Sequence, residues 1–348
     1  MPGPYDLEPH ELAELLADQP PYRARQVWDG LHRRALRPEE MTDLPAALRT
    51  RLATALPPAL TERRRQEADD GETVKWLFDL GDGASVETVL MAYPDRVTAC
   101  VSSQAGCAMG CTFCATGQAG FTRHLSVGEI VEQVVAATRA ARPRRLTNVV
   151  FMGMGEPLAN YDRTWAAIVR IHTALGISAR RLTVSTVGIV PGIRRLAAEA
   201  LPVNLAVSLH AANDARRDEL VPINRRYPLS VLAEACSAYV AATRRRLSFE
   251  WALIDGVNDG VSDADELAAY ARPLGAHVNL IALNPTPGYA VRGTPPDRVQ
   301  GFAEALGARG VNATVRATRG VEIDAACGQL AAPGTRARGV GKRTPVRL

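Results

Sequence analysis

The sequence predicts an α/β protein: a partial barrel of six strand–helix units, preceded by a small helical module and a β-hairpin extension. Three observations carry this. From residue 96 onward, short Val-, Leu- and Ile-rich runs alternate with helical patterns in a steady rhythm. Those runs show little polar–apolar alternation, as expected of parallel strands covered on both faces. The chain has 348 residues with 47% apolar composition, enough for one barrel-sized core and one small further module. Six units are too few for a closed eight-fold barrel, so the barrel is expected to be open or partial.

Residues 1–62 are expected to form the helical accessory module. Pro9-His-Glu-Leu-Ala-Glu-Leu-Leu starts one helix, Tyr22–His32 a second and Leu44–Leu52 a third, with apolar positions at helical spacing and prolines at the ends. Arg23, Arg25, Arg33 and Arg34 line one helix, giving either an RNA-facing surface or a plain solvated face. Residues 63–95 form the β extension: Thr73–Leu80 and Ser85–Met91 flank a Gly81-Asp82-Gly83 turn. The barrel covers 96–325, with strands near 96–103, 146–152, 181–186, 203–208, 247–253 and 277–283. Residues 326–348 hold a cysteine-bearing segment and a basic tail.

Composition narrows the function classes. No run of 18 apolar residues appears, so no membrane span is expected. The N-terminus lacks the basic and apolar regions of a secretory signal. Six cysteines, three of them clustered, suit reduced thiols in the cytoplasm. The net charge of +4 sits mostly in the tail: without Arg336, Arg338, Lys342, Arg343 and Arg347, 36 basic residues face 37 acidic ones. Such a tail suits a polyanionic partner, or is a solvated extension. Only two of the 41 basic residues are lysine, which reads as coding bias.

The densest chemistry is Cys107-Ala-Met-Gly-Cys111-Thr-Phe-Cys114, a C-x3-C-x2-C triplet. Three thiolates this close can hold three irons of a [4Fe–4S] cluster and leave the fourth iron open. A structural zinc site would need a fourth ligand, either His124 or a distant cysteine. Three unliganded thiols are the remaining alternative. The spacing resembles that of the radical S-adenosylmethionine (SAM) superfamily, in which the open iron chelates the amino and carboxylate groups of SAM.

Further polar groups follow successive strands, where barrel function gathers. Gly155 and Glu156 lie in Met152-Gly-Met-Gly-Glu-Pro157; the glycines admit a ligand and Glu156 suits the SAM ammonium. Ser185, then Ser208-Leu209-His210, then Asn284 offer handles for ribose, carboxylate or adenine, although each alone is more often a cap or turn residue. Phe113 can lay a ring against an adenine or fill the core. Cys100 precedes the triplet and Cys327 follows the last unit, whereas Cys236 has no polar company and reads as an inert core thiol.

These stretches together are similar to one family over nearly the whole chain. Cys100-Val-Ser-Ser-Gln-Ala-Gly-Cys107, the triplet, Ala115-Thr-Gly-Gln-Ala-Gly-Phe121, Met152–Pro157, Ser185-Thr-Val-Gly188, Ser208-Leu-His210, Asn284-Pro-Thr-Pro-Gly288 and Ile323-Asp-Ala-Ala-Cys-Gly-Gln-Leu330 resemble the RlmN/Cfr family of radical SAM RNA adenine methyltransferases. The resemblance implies methylation of adenine C2 in 23S rRNA, in the peptidyl-transferase region, and in tRNA, at the adenine 3′ to the anticodon. It implies a [4Fe–4S] cluster on Cys107, Cys111 and Cys114, and two molecules of SAM per methyl transferred. One SAM methylates Cys327; the second yields a 5′-deoxyadenosyl radical that activates the methyl. Cys100 then resolves the protein–RNA adduct, leaving a Cys100–Cys327 disulfide for a thiol reductant. Glu87 matches the family's proton acceptor. An external electron donor and a monomeric state are also expected.

Two other readings remain open at this stage. One is C8 methylation by the same cysteines, as in the Cfr branch. The other is an RNA-binding iron–sulfur sensor without turnover, which would have no use for a methyl-carrying cysteine.

Overall fold

The computed structural model describes residues 3–286, 291–316, 319–326 and 328–330. Its framework is one ten-stranded sheet. β1 (Leu60–Ala68), β2 (Thr73–Leu80), β3 (Ser85–Ala92) and β4 (Val97–Cys100) pair antiparallel in sequence. From β4 the sheet turns parallel, through β7 (Asn148–Phe151), β8 (Leu182–Thr186), β9 (Asn204–Ser208), β10 (Leu247–Leu253), β11 (His277–Ala282) and β12 (Ala313–Val315). β5 (Gln104–Gly106) and β6 (Phe121–His124) form a separate small ribbon. All six expected barrel strands are present at the expected places, as is the hairpin.

Three elements differ from the sequence expectation. β1 starts inside the stretch read as helical, because Thr61–Glu67 carries charge on an exposed edge strand instead of an apolar pattern. β12 is a seventh parallel strand, too short and too exposed at Thr314 and Val315 to show in the pattern. β5 stands between β4 and the triplet, and β6 follows the helix after it, so the cysteine loop sits inside a small ribbon that the sequence pattern did not show. Elsewhere the rules hold: every residue of β10 is buried, as expected of a parallel strand covered on both faces, and only Ser248 and Glu250 interrupt its apolar run.

The helices obey local signals. α1 (Pro9–Leu15), α2 (Tyr22–His32) and α3 (Ala46–Ala55) make the N-terminal module; α4 (Ala115–Ala119) closes the cysteine loop. α5 (Val127–Ala140) starts with a capping box, Ser126 Oγ accepting from Glu129 N at 3.1 Å and Glu129 Oε2 from Ser126 N at 2.8 Å. α6 (Tyr161–Thr173), α7 (Val190–Ala197), α8 (Asp214–Leu220), α9 (Leu229–Thr243), α10 (Val261–Ala271) and α11 (Pro296–Ala308) cover the parallel strands. The N-terminal module docks on α5 and α6: Arg139 donates to Ala35 O at 2.7 Å and pairs with Glu40 at 2.6 Å, and buried Arg170 reaches Tyr5 O and Glu8. Three of the four arginines noted on and after α2 face acids within the module, Arg25 and Arg33 on Asp29 and Arg34 on Asp43, and Arg23 donates to Gln26.

One buried amide fixes where β4 ends. Gln133 of α5 accepts from Ser102 N and Thr88 Oγ1, each at 2.8 Å, and donates to Ser102 O at 3.0 Å. Ser102 Oγ in turn donates to Glu87 O at 2.6 Å and accepts from Met154 N at 2.9 Å. One side chain thus holds β3, the chain leaving β4 and the chain leaving β7 in register. Gln133→Leu keeps the volume and strips these partners, so it should cost about 1–3 kcal/mol for each buried group left unpaired. Urea denaturation should show a lower midpoint at unchanged slope; an unchanged midpoint would mean the network carries no stability.

Candidate active site

Because β4 and β7–β12 run the same way, the loops leaving them meet at one rim. There a cavity with about 1070 Å³ of empty space is lined by Cys107, Cys111 and Cys114, by Gly155 and Glu156, by Ser185, by Ser208 and His210, and by Asn284. Phe113 also lines it, its ring set edge-on to His210 at 4.7 Å. Of the expected cofactor residues, Leu209 alone stands apart. Its side chain is fully buried in the core, its N–H donates to Glu250 O at 3.0 Å, and its carbonyl accepts from Arg217 at 3.1 Å. Alternating side-chain direction across Ser208-Leu209-His210 explains why the middle residue turns away.

The cysteine loop is shaped by glycine. At Gly106, φ is +76° and a Cβ would lie 2.0 Å from Gly120 O, so no other residue fits where the loop begins. Cys107 N donates to the same Gly120 carbonyl at 2.8 Å, and Thr112 N ties the loop to Leu220 O of α8 at 3.2 Å. Burial raises the Cys107 thiol to about 12 and holds Cys111 well above its ordinary value, their mutual proximity adding to it. Three thiols crowded in this way favour a ligand whose positive charge would stabilise all three thiolates. Among the described residues, no three His, Cys, Asp or Glu side chains close around a single ion. A cubane needs no such convergence, since each thiolate binds a different iron. The donor set therefore fits a three-cysteine [4Fe–4S] cluster.

Charge around this loop is carefully placed. Arg217 is fully buried, and its acceptors are neutral: Leu209 O at 3.1 Å, Asn224 Oδ1 at 2.8 Å, Val187 O at 2.7 Å and Ser208 O at 3.3 Å. Its positive field favours the Cys111 thiolate. Glu156 accepts from Leu158 N at 2.9 Å and Val187 N at 2.8 Å, yet burial lifts its carboxyl to about 7. His210, at φ +60°, accepts from Ala252 N at 2.9 Å through Nδ1, and burial holds its pKa down at about 3. It is a neutral ring offering Nε2–H, not an acid or base at physiological pH.

A smaller cavity adjoins the first and shares Met152, Ile281, Asn284, Arg316 and Leu330 with it. Cys100 lines this second chamber together with Ala325 and Ala326. Cys327 lies outside the described residues. The chain on either side is pinned: Gly328 lines the larger cavity and its carbonyl accepts from Ala115 N at 2.9 Å, and Leu330 O accepts from Thr116 Oγ1 at 2.5 Å. On the other side, Gly320 N donates to Asp69 at 3.1 Å and Arg319 to Ala92 O at 3.0 Å. The basic tail beyond Leu330 also lies outside the described residues.

Glu87 lines neither chamber. It is buried on β3 and paired with Lys75 of β2 at 3.0 Å, while Lys75 Nζ also donates to Asp324 O at 3.2 Å. Lys75 was missed in the sequence, although a signal existed. It is one of two lysines among 41 basic residues, and arginine cannot replace a compact ammonium in a closed site. Glu250 and Arg316, 3.5 Å apart on the cavity wall, gave no such signal.

A family model described as the radical SAM superfamily matches residues 101–270. A curated protein of Chloroflexus aurantiacus, named a probable dual-specificity RNA methyltransferase RlmN, is 52% identical over 345 residues, covering 94% of this chain and 92% of its own. One of Thermobifida fusca with the same name is 52% identical over 344 residues, covering 94% of each. Among solved structures, a radical SAM methyltransferase from Sphaerobacter thermophilus superposes with a TM-score of 0.91 at 54% identity, covering 95% of this chain and 99% of its own.

Lys75→Met should leave Glu87 buried without its ammonium and cost about 3–5 kcal/mol in chemical denaturation. Lys75→Met combined with Glu87→Leu replaces the pair by apolar groups and should be clearly more stable than Lys75→Met alone. If the double variant is no better, the pair is not the source of the loss.

Proposed function

The chain belongs to the RlmN family of radical SAM RNA methyltransferases, and from that premise we propose that it methylates C2 of an adenine in 23S rRNA and in tRNA through a methylated Cys327. The observation carrying this is the meeting of the three-cysteine cavity and the Cys100 chamber at shared walls, with the chain on both sides of residue 327 lining one or the other. C2, not C8, is favoured by relatives carrying the RlmN name at about half identity over nearly the full chain.

Adenine C2 is an amidine carbon with no useful nucleophilicity, so direct transfer from a sulfonium is unfavourable. Cys327 solves this in stages. Its thiolate attacks the methyl carbon of one SAM, forming an S–CH3 bond as S-adenosylhomocysteine leaves. A bound cluster supplies the single electron that cleaves a second SAM. Around that chemistry Glu156 takes the SAM ammonium, while Ser185, Ser208 and Asn284 serve its hydroxyl and carboxylate groups. Phe113 and neutral His210 offer an apolar wall for its adenine. Glu87, paired with Lys75, or Cys100, which lines the second chamber, accepts the C2 proton. Before that proton leaves, the 5′-deoxyadenosyl radical takes a hydrogen atom from the methyl of Cys327, the resulting methylene bonds to C2, and the adduct gives back one electron. The Cys100 thiolate then attacks the sulfur of Cys327 and breaks its bond to the methylene, which takes up a proton as the methylated RNA leaves, and a cellular thiol reopens the Cys100–Cys327 disulfide. The enzyme acts as a monomer in the cytoplasm with an external electron donor; among the described residues no helix is long and apolar enough to cross a membrane.

The two lone cysteines should fail differently. Cys327→Ala should abolish both protein and RNA methylation while the iron content persists. Cys100→Ala keeps the carrier and should accumulate protein covalently joined to RNA, visible as a ribonuclease-sensitive shift on a denaturing gel. Normal yields of methylated RNA from Cys100→Ala, without adduct, would overturn its resolving role.

SAM affinity should depend on pH through Glu156. The unliganded carboxyl titrates at about 7, and an ammonium beside it favours the charged form. Binding therefore releases a proton, so affinity should rise as pH rises through about 7 and then level off. Calorimetric titration with SAM at pH 6 to 8.5 checks this; Glu156→Gln should flatten the profile, and an equally steep profile in that variant would refute the assignment.

A further inference from the structure

Beside the cysteine loop lies a groove that shares no lining residue with the Cys100 chamber. Its floor includes Ala108 and Met109 of the loop itself, with Leu158 and Ile189, and its rim carries Tyr161 and Tyr227. Arg195 lies 4.0 Å over the Tyr161 ring and Arg226 5.6 Å over the Tyr227 ring, both side chains exposed. Arg163, Arg194 and Arg225 are exposed neighbours of these rim residues, and Phe121 is one of the few large apolar side chains exposed on this molecule. Nearby acids are Asp162, which pairs with Arg195 at 2.6 Å, and Glu199, which accepts from Tyr161 Oη at 3.0 Å. Aromatic and arginine groups around an apolar floor are the composition of a protein-docking surface.

What marks this groove is its relation to the cluster loop. Met109 lines both the groove and the three-cysteine cavity, so the two come together at that side chain. Electron transfer falls steeply with distance, and the cavity side must receive SAM and RNA. A reductant therefore has to approach from another side of the loop. We propose that the groove rimmed by Arg195, Arg226, Tyr161 and Tyr227 docks the external electron donor, an acidic low-potential flavin or iron–sulfur protein, and passes its electron across Met109. The donor loses one electron and the cluster gains it, with no other bond made or broken. The excess of exposed arginines matches an acidic partner and steers its approach. This inference rests on the radical SAM reading above.

The test uses Arg195→Glu and Arg226→Glu, singly and together, with flavodoxin hydroquinone as the acidic donor and dithionite as a small reductant that needs no docking. Stopped-flow oxidation of the hydroquinone by reconstituted enzyme should slow at least tenfold in the double variant at low salt, while reduction by dithionite stays unchanged. Binding of oxidised flavodoxin to cluster-free protein should weaken in parallel and lose its salt dependence. Equal flavodoxin rates in wild type and double variant would overturn the proposal. So would a loss of RNA affinity with donor kinetics intact, which would make the groove an RNA surface. Failure of wild type to accept electrons even from dithionite would instead overturn the cluster reading beneath it, and this proposal with it.

Discussion

Parallel pairing of β4 with β7 through β12 is the constraint on which the rest depends. Strands running one way must deliver all their following loops to one rim, so residues spread from Cys107 to Asn284 face a single cavity. Antiparallel β1–β3 extend the same sheet on the other edge and supply the surface on which the segment after β12 lies. That segment is held by backbone hydrogen bonds to α4 at one end and by Arg319, Gly320 and Asp324 contacts to β2, β3 and the turn between β1 and β2 at the other. The chain around residue 327 is thus brought over the junction of two chambers by the sheet that builds them.

Electrostatics then sorts the groups the rim has gathered. Burial pushes Glu156 and the Cys107 and Cys111 thiols toward their neutral forms and keeps His210 neutral, so the charged forms are short of compensating charge. Cationic ligands, an ammonium for Glu156 and iron for the thiols, would relieve that shortage. Arg217, buried among carbonyls instead of carboxylates, supplies fixed positive potential where thiolate charge would gather and braces the ends of β8 and β9 at once.

The sequence made the parallel strands legible because their runs are rich in Val, Leu and Ile and recur between helical patterns, and the cysteine spacing because three thiolates in eight residues have few other uses. β1 and β12 escaped notice since edge strands bury little and need no apolar pattern. Leu209 shares a motif with Ser208 and His210, and of the three only those two line the cavity. Lys75, Arg217 and Arg316 work through long-range contacts, and Arg217 and Arg316 sit among many arginines of ordinary kind, so their roles emerge only in three dimensions. Glu87, by contrast, was picked out through resemblance, and the structure adds the lysine that pairs with it and links it to Asp324.

The central claim is that these two chambers together place a methyl group on adenine C2. Its most direct test is mass spectrometry of nucleosides from unmodified 23S rRNA and tRNA treated with the reconstituted protein, SAM and a reductant. The account predicts 2-methyladenosine, coeluting with an authentic standard, at a single adenine in each RNA. A dominant 8-methyladenosine peak, or SAM cleavage with no methylated adenosine at all, would contradict it.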